Sequence, residues 1–499
     1  MLPSAKIRVE RSGGGGYGQR GRIADGMTRY FFDLSGVLDY LGHGSRFTGI
    51  QRVVVVLADT ACRKLPPGAA YLSWYDPGRG AYVAVPYALL ADGRLTDPDR
   101  LRAAFGIAPP RQDGTTALAK YDRRPLRAAF HALRYRIYAR LGRKKYAKRL
   151  AEITRKTAVV GRKIPARDLQ SFAGLANARD HLVIMDAVWG LEDALAAFRA
   201  ARARGVFVHT MLHDLIPVVM PEVMNDDMIR RFEPWLRTSH DYTSSYLAVS
   251  RSTGRDLSEF LERHGIDRPV RNTPLAQARV PASPRRDGDH DEDGTELTTL
   301  PEPGLASQRV RAQLFHPYVL CVGTMEIRKN SWRVAQAWDR LRAVDGLNLP
   351  RLVFVGQSGW MNHAFEMMMK ATGQLGGWVD IIEKASDAEL ETLYRHCLFT
   401  ITASRYEGWG LPVGESLAYG KTGVVARTSS LPEVGGDLVE YCDPTSIDSI
   451  AQACRTLIED QGRRAALEAR IATAPLRQWT DTADDLLAAL ADHAADRSA

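Results

Sequence analysis

Short apolar runs separated by helical patterns occur in two series along this chain, and that alternation restricts the fold more than any other feature. The first series starts with Tyr30-Phe31-Phe32-Asp33-Leu34 and continues through Leu182-Val183-Ile184-Met185, Val206-Phe207-Val208 and Tyr246-Leu247-Ala248-Val249. The second starts with Tyr318-Val319-Leu320-Cys321-Val322-Gly323 and continues through Leu352-Val353-Phe354-Val355 and Val424-Val425-Ala426. Strand–helix alternation of this kind predicts parallel sheets covered on both faces. The expected fold class is therefore α/β: two Rossmann-like, doubly wound domains, over residues 28–281 and 317–478, with the strand ends of both meeting at a central cleft. Residues 1–27, with Gly13 to Gly16 in a row, have too little apolar content to fold, and Met27 is a candidate start of the native protein. Residues 282–316, whose first part is rich in Asp, Pro, Gly, Glu and Arg, are expected to link the two domains.

The densest functional signal is Glu407-Gly408-Trp409-Gly410-Leu411-Pro412-Val413-Gly414-Glu415, which predicts a flexible loop running into a helix. Pro412 suits the first helical position, where its missing N–H would be unpaired in any case, and Gly420 suits the position just past the end. The free N–H groups at such a helix start favour an anion, a diphosphate above all, and glycine lets a ligand come close to the backbone. Two carboxylates beside an anion site repel the phosphate, so Glu407 and Glu415 are expected to accept hydrogen bonds from ribose and sugar hydroxyls.

The run Ser404-Arg405-Tyr406-Glu407-Gly408-Trp409-Gly410-Leu411-Pro412, then Glu415, then Ser430-Leu431-Pro432-Glu433-Val434, resembles the donor signature of the family 4 retaining glycosyltransferases, which have the GT-B fold. The wording is most similar to mannosyltransferases. Further matches follow in the expected order: Thr48-Gly49-Ile50-Gln51-Arg52-Val53, His213-Asp214-Leu215-Ile216-Pro217, Ala248-Val249-Ser250-Arg251-Ser252, Val322 to Asn330, and Val355-Gly356-Gln357-Ser358-Gly359-Trp360. The resemblance implies a nucleotide-sugar donor, with GDP-mannose the first choice, and a saccharide or lipid-linked acceptor in surface polysaccharide assembly. It implies that residues 479–499 form a closing helix crossing back onto the first domain.

By the same resemblance Lys329 takes the phosphate-binding lysine position and Arg328 the adjacent basic one, while Thr324 stands where many relatives have an arginine. Glu407 holds the transferred sugar and Glu415 the ribose, with Gly408, Trp409, Gly410, Leu411 and Ser430 shaping the donor site. His213 lies close to the reacting sugar with Asp214 beside it, and Gly49, Gln51 and Arg52 line the acceptor and diphosphate loop. Cations at Arg328 and Lys329 call for an anion on their own account, because a helix start ordinarily prefers acids. No Asp-x-Asp pair sits at a strand end, and Asp289-His290-Asp291-Glu292-Asp293 is expected to be a solvated acidic run, so neither a metal nor another cofactor is expected.

At 499 residues the chain is long enough for two or three domains, and 45% apolar with 25% charged is the balance of a globular protein. No apolar run approaches the roughly 18 residues of a membrane-spanning helix, and no signal-peptide core is present. The five cysteines are scattered without metal-ligand spacing, which suits a reducing compartment. The expected location is cytoplasmic, with peripheral attachment to the inner membrane face open. The net charge of +9 gathers between Lys120 and Lys163, where Leu126, Phe130, Leu133, Ile137 and Leu141 recur at helical steps. This basic insertion either meets an anionic membrane surface or packs on its own domain with its charges solvated. Nucleic acid is not expected, since no binding module surrounds it. Two rivals share the motifs: a GT-B epimerase or phosphorylase, and a noncatalytic protein held at a membrane or polyanion.

Overall fold

The computed structural model describes residues 27–44, 46–108, 134, 138, 163–279 and 307–496. The expected tail up to residue 26, the basic insertion apart from positions 134, 138 and 163, and the acidic run 289–293 lie outside the described residues.

The first sheet contains β1 (Tyr30–Asp33), β2 (Ala70–Asp76), β3 (Ala81–Pro86), β4 (Gln170–Ser171), β5 (His181–Ile184), β6 (Phe207–Leu212), β7 (Ser245–Ala248) and β8 (Val270–Asn272). Their order across the sheet is β4-β3-β2-β1-β5-β6-β7-β8. The strands from β2 through β1 to β8 are parallel, but β3 and β4 join antiparallel at one edge. That edge departs from the purely parallel expectation. Its cause is local: Asp76-Pro77-Gly78-Arg79-Gly80 turns the chain straight back, with Gly78 N–H bonded to the Asp76 side chain, so β3 pairs with β2 without a crossover.

The second sheet contains β9 (Tyr318–Val322), β10 (Arg351–Val355), β11 (Val379–Ile382), β12 (Thr400–Thr402), β13 (Gly423–Ala426) and β14 (Glu440–Cys442), all parallel, in the order β11-β10-β9-β12-β13-β14. Strands β9 and β13, and β10 after Arg351, are largely apolar because helices cover both faces, while β12 is Thr400-Ile401-Thr402. Val319, Leu352 and Phe354 meet Trp338 and Leu341 of the Ser331–Arg342 helix in one core. The end of the expected linker is itself structured, as a helix over Gln308–Gln313 started by the Ser307 side chain.

The last helix, Trp479–Asp496, leaves the second domain and packs on the Gly49–Lys64 helix of the first. Leu486 and Leu490 are fully buried in the core there, and Lys64 pairs with Asp484 at 2.6 Å. Apolar burial of this kind contributes roughly 1.5–3 kcal/mol per leucine, against about 0–1 for the exposed ion pair, so the leucines hold the crossing.

Candidate functional site

Strand β9 ends at Val322, and the chain then makes a short turn, Ile327–Lys329, before the Ser331–Arg342 helix. Strand β12 ends at Thr402 and leads through Ser404–Gly410 into the Leu411–Ala418 helix. Because β9 and β12 are neighbours in the sheet, their two loops meet. Arg328 Nη1 lies 2.8 Å from Glu407 Oε2 and 2.8 Å from the Tyr406 carbonyl, and Lys329 Nζ lies 2.6 Å from Glu407 Oε1. Arg328 Nη2 donates to Glu326 Oε1 at 2.5 Å.

Two cations and two carboxylates thus share one half-dry pocket. Burial by itself would raise the Glu407 carboxyl, but Arg328, Lys329 and a hydrogen bond from Ser404 outweigh it and hold the group down at about 2. At Glu326 burial pushes the carboxyl up, and the Arg328 and Lys329 charges only partly oppose it. The Arg328 Nε–H is buried and has no hydrogen-bond partner among the described residues. Glu407 therefore neutralises both cations in this structure, a role the motif alone did not predict. Glu326 was passed over as a functional residue; its place two residues before Arg328 was the available signal.

The Leu411–Ala418 helix starts one residue earlier than expected, putting Pro412 at the second position, with Gly410 before it at φ 102°. A side chain at Gly410 would be strained by that backbone and would lie 2.6 Å from Leu431. Ser430 and Trp409 brace this loop from behind. The Ser430 hydroxyl lies 2.8 Å from the carbonyls of both Glu407 and Trp409, and the Trp409 indole donates to the Ala276 carbonyl at 3.1 Å. Both side chains are buried, so they position the loop, and neither offers the cleft a polar group. Leu411 is half-buried against Gly49 of the first domain, where an added Cβ would sit at 3.6 Å.

Glu415 lies on the same helix and is half-buried, with Tyr394 donating to Oε2 at 3.0 Å. Burial raises its carboxyl, and the Tyr394 bond and the Arg52 charge partly oppose this. Arg52 reaches the site from the first domain and pairs with Asp387 at 2.6 Å. Gln51 does not line the cleft: it is buried, and its amide donates to Asp186 Oδ1 at 3.1 Å.

His213 and Asp214 follow β6 directly. His213 Nε2 lies 2.7 Å from the Met185 carbonyl and must donate there, so Nδ1 keeps its lone pair, and burial favours the neutral ring. Asp214 accepts from Ile216 N–H at 3.1 Å; burial raises its carboxyl while the Arg328 charge lowers it. The domains touch at this point, since any Cβ on Gly408 would overlap the His213 carbonyl oxygen. Nearby, Glu433 of the second domain accepts the backbone N–H groups of Arg251 and Ser252 at 2.9 and 2.8 Å, capping a helix of the first. Of the expected residues, Arg328, Lys329 and Glu407 meet directly, His213 and Asp214 adjoin them where the domains touch, Glu415 lies on the following helix with the Arg52 charge near it, and Gln51, Ser430 and Trp409 turn their polar groups into the protein.

Asp186 gives a test of the acceptor-side packing. Burial, with Asp33 and Asp39 adding, pushes its carboxyl from 3.8 up to about 7, against hydrogen bonds from Ala187 N–H and Gln51. The folded state keeps this proton to about pH 7 and the unfolded chain releases it near 3.8, so its contribution is full at low pH and lost as pH rises through 7. Asp186→Asn, which stays neutral, is expected to be more stable than wild type at pH 8 by on the order of 2–4 kcal/mol, with the difference vanishing below about pH 4. Urea melts at both pH values measure this, and a constant difference would show that Asp186 stays charged.

Residues 307–473 match the family described as "Glycosyl transferases group 1". The chain is 30% identical over 273 residues to the O-antigen chain mannosyltransferase B of Escherichia coli, covering 54% of this chain and 66% of that protein. It is 28% identical over 226 residues to the serotype-specific mannosyltransferase WbdA of Escherichia coli, covering 45% of this chain and 26% of that one. The chain therefore spans about two thirds of the first relative's length and about a quarter of the second's. Among solved structures, Anabaena HepE in complex with UDP superposes with a TM-score of 0.52 at 11% identity, over 93% of this chain and 100% of that one, a likeness of fold alone. The second domain is thus that of the group 1 glycosyl transferases, and the chain has the two-domain GT-B fold.

Proposed function

We propose that the protein is a retaining glycosyltransferase that moves a hexose, in the first instance mannose from GDP-mannose, onto a saccharide or lipid-linked saccharide in surface polysaccharide assembly. The observation that carries this is the convergence of Arg328, Lys329 and Glu407 at the start of the Leu411–Ala418 helix, with His213 and Asp214 closing from the other domain. Support for mannose comes from the relatives named as mannosyltransferases.

The diphosphate takes the unfilled Arg328 Nε donor, Lys329 and the helix start, which together offset the negative charge that grows as the sugar leaves. The acceptor oxygen bonds to the anomeric carbon on the face the diphosphate is leaving, the carbon–phosphate-oxygen bond breaks, and the acceptor proton passes to the departing oxygen. Glu407 and the His213 Nδ1 lone pair accept from sugar hydroxyls, and Glu415 from the ribose. These cations and the helix end meet the leaving charge, so a divalent metal has no step in this scheme. A lipid-linked acceptor would put the reaction at the inner membrane face. No described helix is long and apolar enough to cross a membrane.

The test is incubation with GDP-mannose and a panel of saccharide and lipid-linked acceptors. GDP release with an α-linked product is expected. A β-linked product would remove retention, and conversion of the donor without acceptor would favour an epimerase. Two substitutions refine the scheme. Gly408→Ala, which forces the domains apart at His213, is expected to lower kcat/KM about 10²-fold, and wild-type rates would show that this close approach is not used. Glu415→Ala is expected to raise the donor KM about tenfold or more with a smaller change in kcat, since a lost hydrogen bond to a charged group costs about 1.5–3 kcal/mol; an unchanged donor KM would release Glu415 from the ribose.

A further inference from the structure

A cavity of about 1100 Å³ bounded by described residues lies in the first domain and shares no wall residue with the donor cleft. It opens beyond the ends of β1 and β2 and at the start of the Glu192–Ala203 helix. Trp74 and Phe105 form one corner of it, packed edge to face with ring centres 4.7 Å apart, and Tyr75 extends that wall. Among the described residues four carboxylates line it, Asp39, Asp76, Glu192 and Asp193, against two cations, Arg79 and Lys163. Arg79 is paired with Asp76 at 3.7 Å, which leaves the described wall acidic.

These walls select a ligand class. An acidic lining repels phosphate and nucleotide, so the chamber is not a second donor site. A purely apolar chain would leave the carboxylates unused. A neutral saccharide satisfies both parts, its hydroxyls donating to carboxylates and its C–H faces lying on Trp74, Tyr75 and Phe105. The volume lies just above the roughly 300–1,000 Å³ usual for small-molecule pockets and has space for more than one sugar ring. We infer that this chamber is a saccharide-binding site remote from the reacting centre, holding interior sugars of an acceptor chain. The word acceptor rests on the glycosyltransferase proposal; saccharide binding does not.

The test is calorimetric titration of the full chain, without donor, with neutral manno-, gluco- and galacto-oligosaccharides of increasing length. At least one series is expected to bind more tightly as it lengthens. Tyr75→Ala and Phe105→Ala should each weaken that binding tenfold or more. Asp39→Asn combined with Glu192→Gln, both exposed and outside the core, should weaken it likewise and covers the case in which an aromatic variant fails to fold. Lys329→Ala should leave it intact. Absence of binding by every series, survival of binding in the Asp39/Glu192 double variant, or displacement of the saccharide by GDP would overturn the inference. A protein that binds oligosaccharide in this way yet transfers no sugar would instead remove the glycosyltransferase proposal and leave the chamber standing.

Discussion

Glu407→Gln is expected to lower turnover by about 10²-fold or more while raising the affinity for free GDP. Glutamine keeps the shape and one acceptor oxygen but not the charge. In the structure that charge is shared between Arg328 at 2.8 Å and Lys329 at 2.6 Å, and the carboxyl is held at about 2, so it stays ionised throughout the working pH range. A unit charge about 4 Å away at an effective dielectric constant of about 20 is worth roughly 4 kcal/mol. Part of that, released from Glu407, becomes available to a bound diphosphate. The sugar meanwhile loses a charged acceptor for its hydroxyls, which is where the rate falls. Breaking a buried ion pair from one side also costs about 3–5 kcal/mol of stability, so the variant should melt earlier without ligand and recover more than wild type on adding GDP. Calorimetry with GDP, steady-state rates and thermal melts read these effects separately. Weaker GDP binding in the variant would mean that Glu407 helps to hold the nucleotide and does not compete with it.

Lys329→Ala should cut kcat by about 10²–10³-fold, the usual effect of removing one group aimed at charge that develops in the transition state. Arg328 cannot substitute. Its guanidinium is fixed by Glu326, Glu407 and the Tyr406 carbonyl, whereas Lys329 has, among the described residues, a single ion-pair partner in Glu407 and a flexible stem beside Gly323. Lys329→Arg is expected to recover little, because a planar fork does not reproduce a compact ammonium at this position. Loss confined to KM would assign Lys329 to ground-state binding alone.

Much of the cleft was legible before any coordinates. Periodicity located β5, β7, β9 and β10 within about one residue, but among the strands that the site loops follow it read β6 as Val206–Val208, four residues short of its end at Leu212. The Glu407 to Glu415 stretch announced a glycine loop entering a helix. Arg328 and Lys329 stood out because cations at a helix start need an anion nearby. The β2–β3 hairpin was missed although its Asp-Pro-Gly turn was in plain view, because attention to strand–helix alternation passes over strands that pair with their immediate neighbour.

Ser430, Trp409 and Gln51 have the residue types of ligand-binding groups, and each spends its polar atoms inside the protein. Composition cannot separate those two uses, since a hydroxyl or an amide bonds equally well to a backbone carbonyl and to a sugar. The amino-acid order alone dictated which loops would stand at strand ends, because strand and helix periods and the chemistry of proline and glycine act over a few neighbouring residues. Folding in three dimensions settled which charges pair. Glu407 meets Lys329 across 78 residues of chain, and Gly408 meets His213 from the opposite domain, through distances set by sheet order and domain closure that no local pattern encodes.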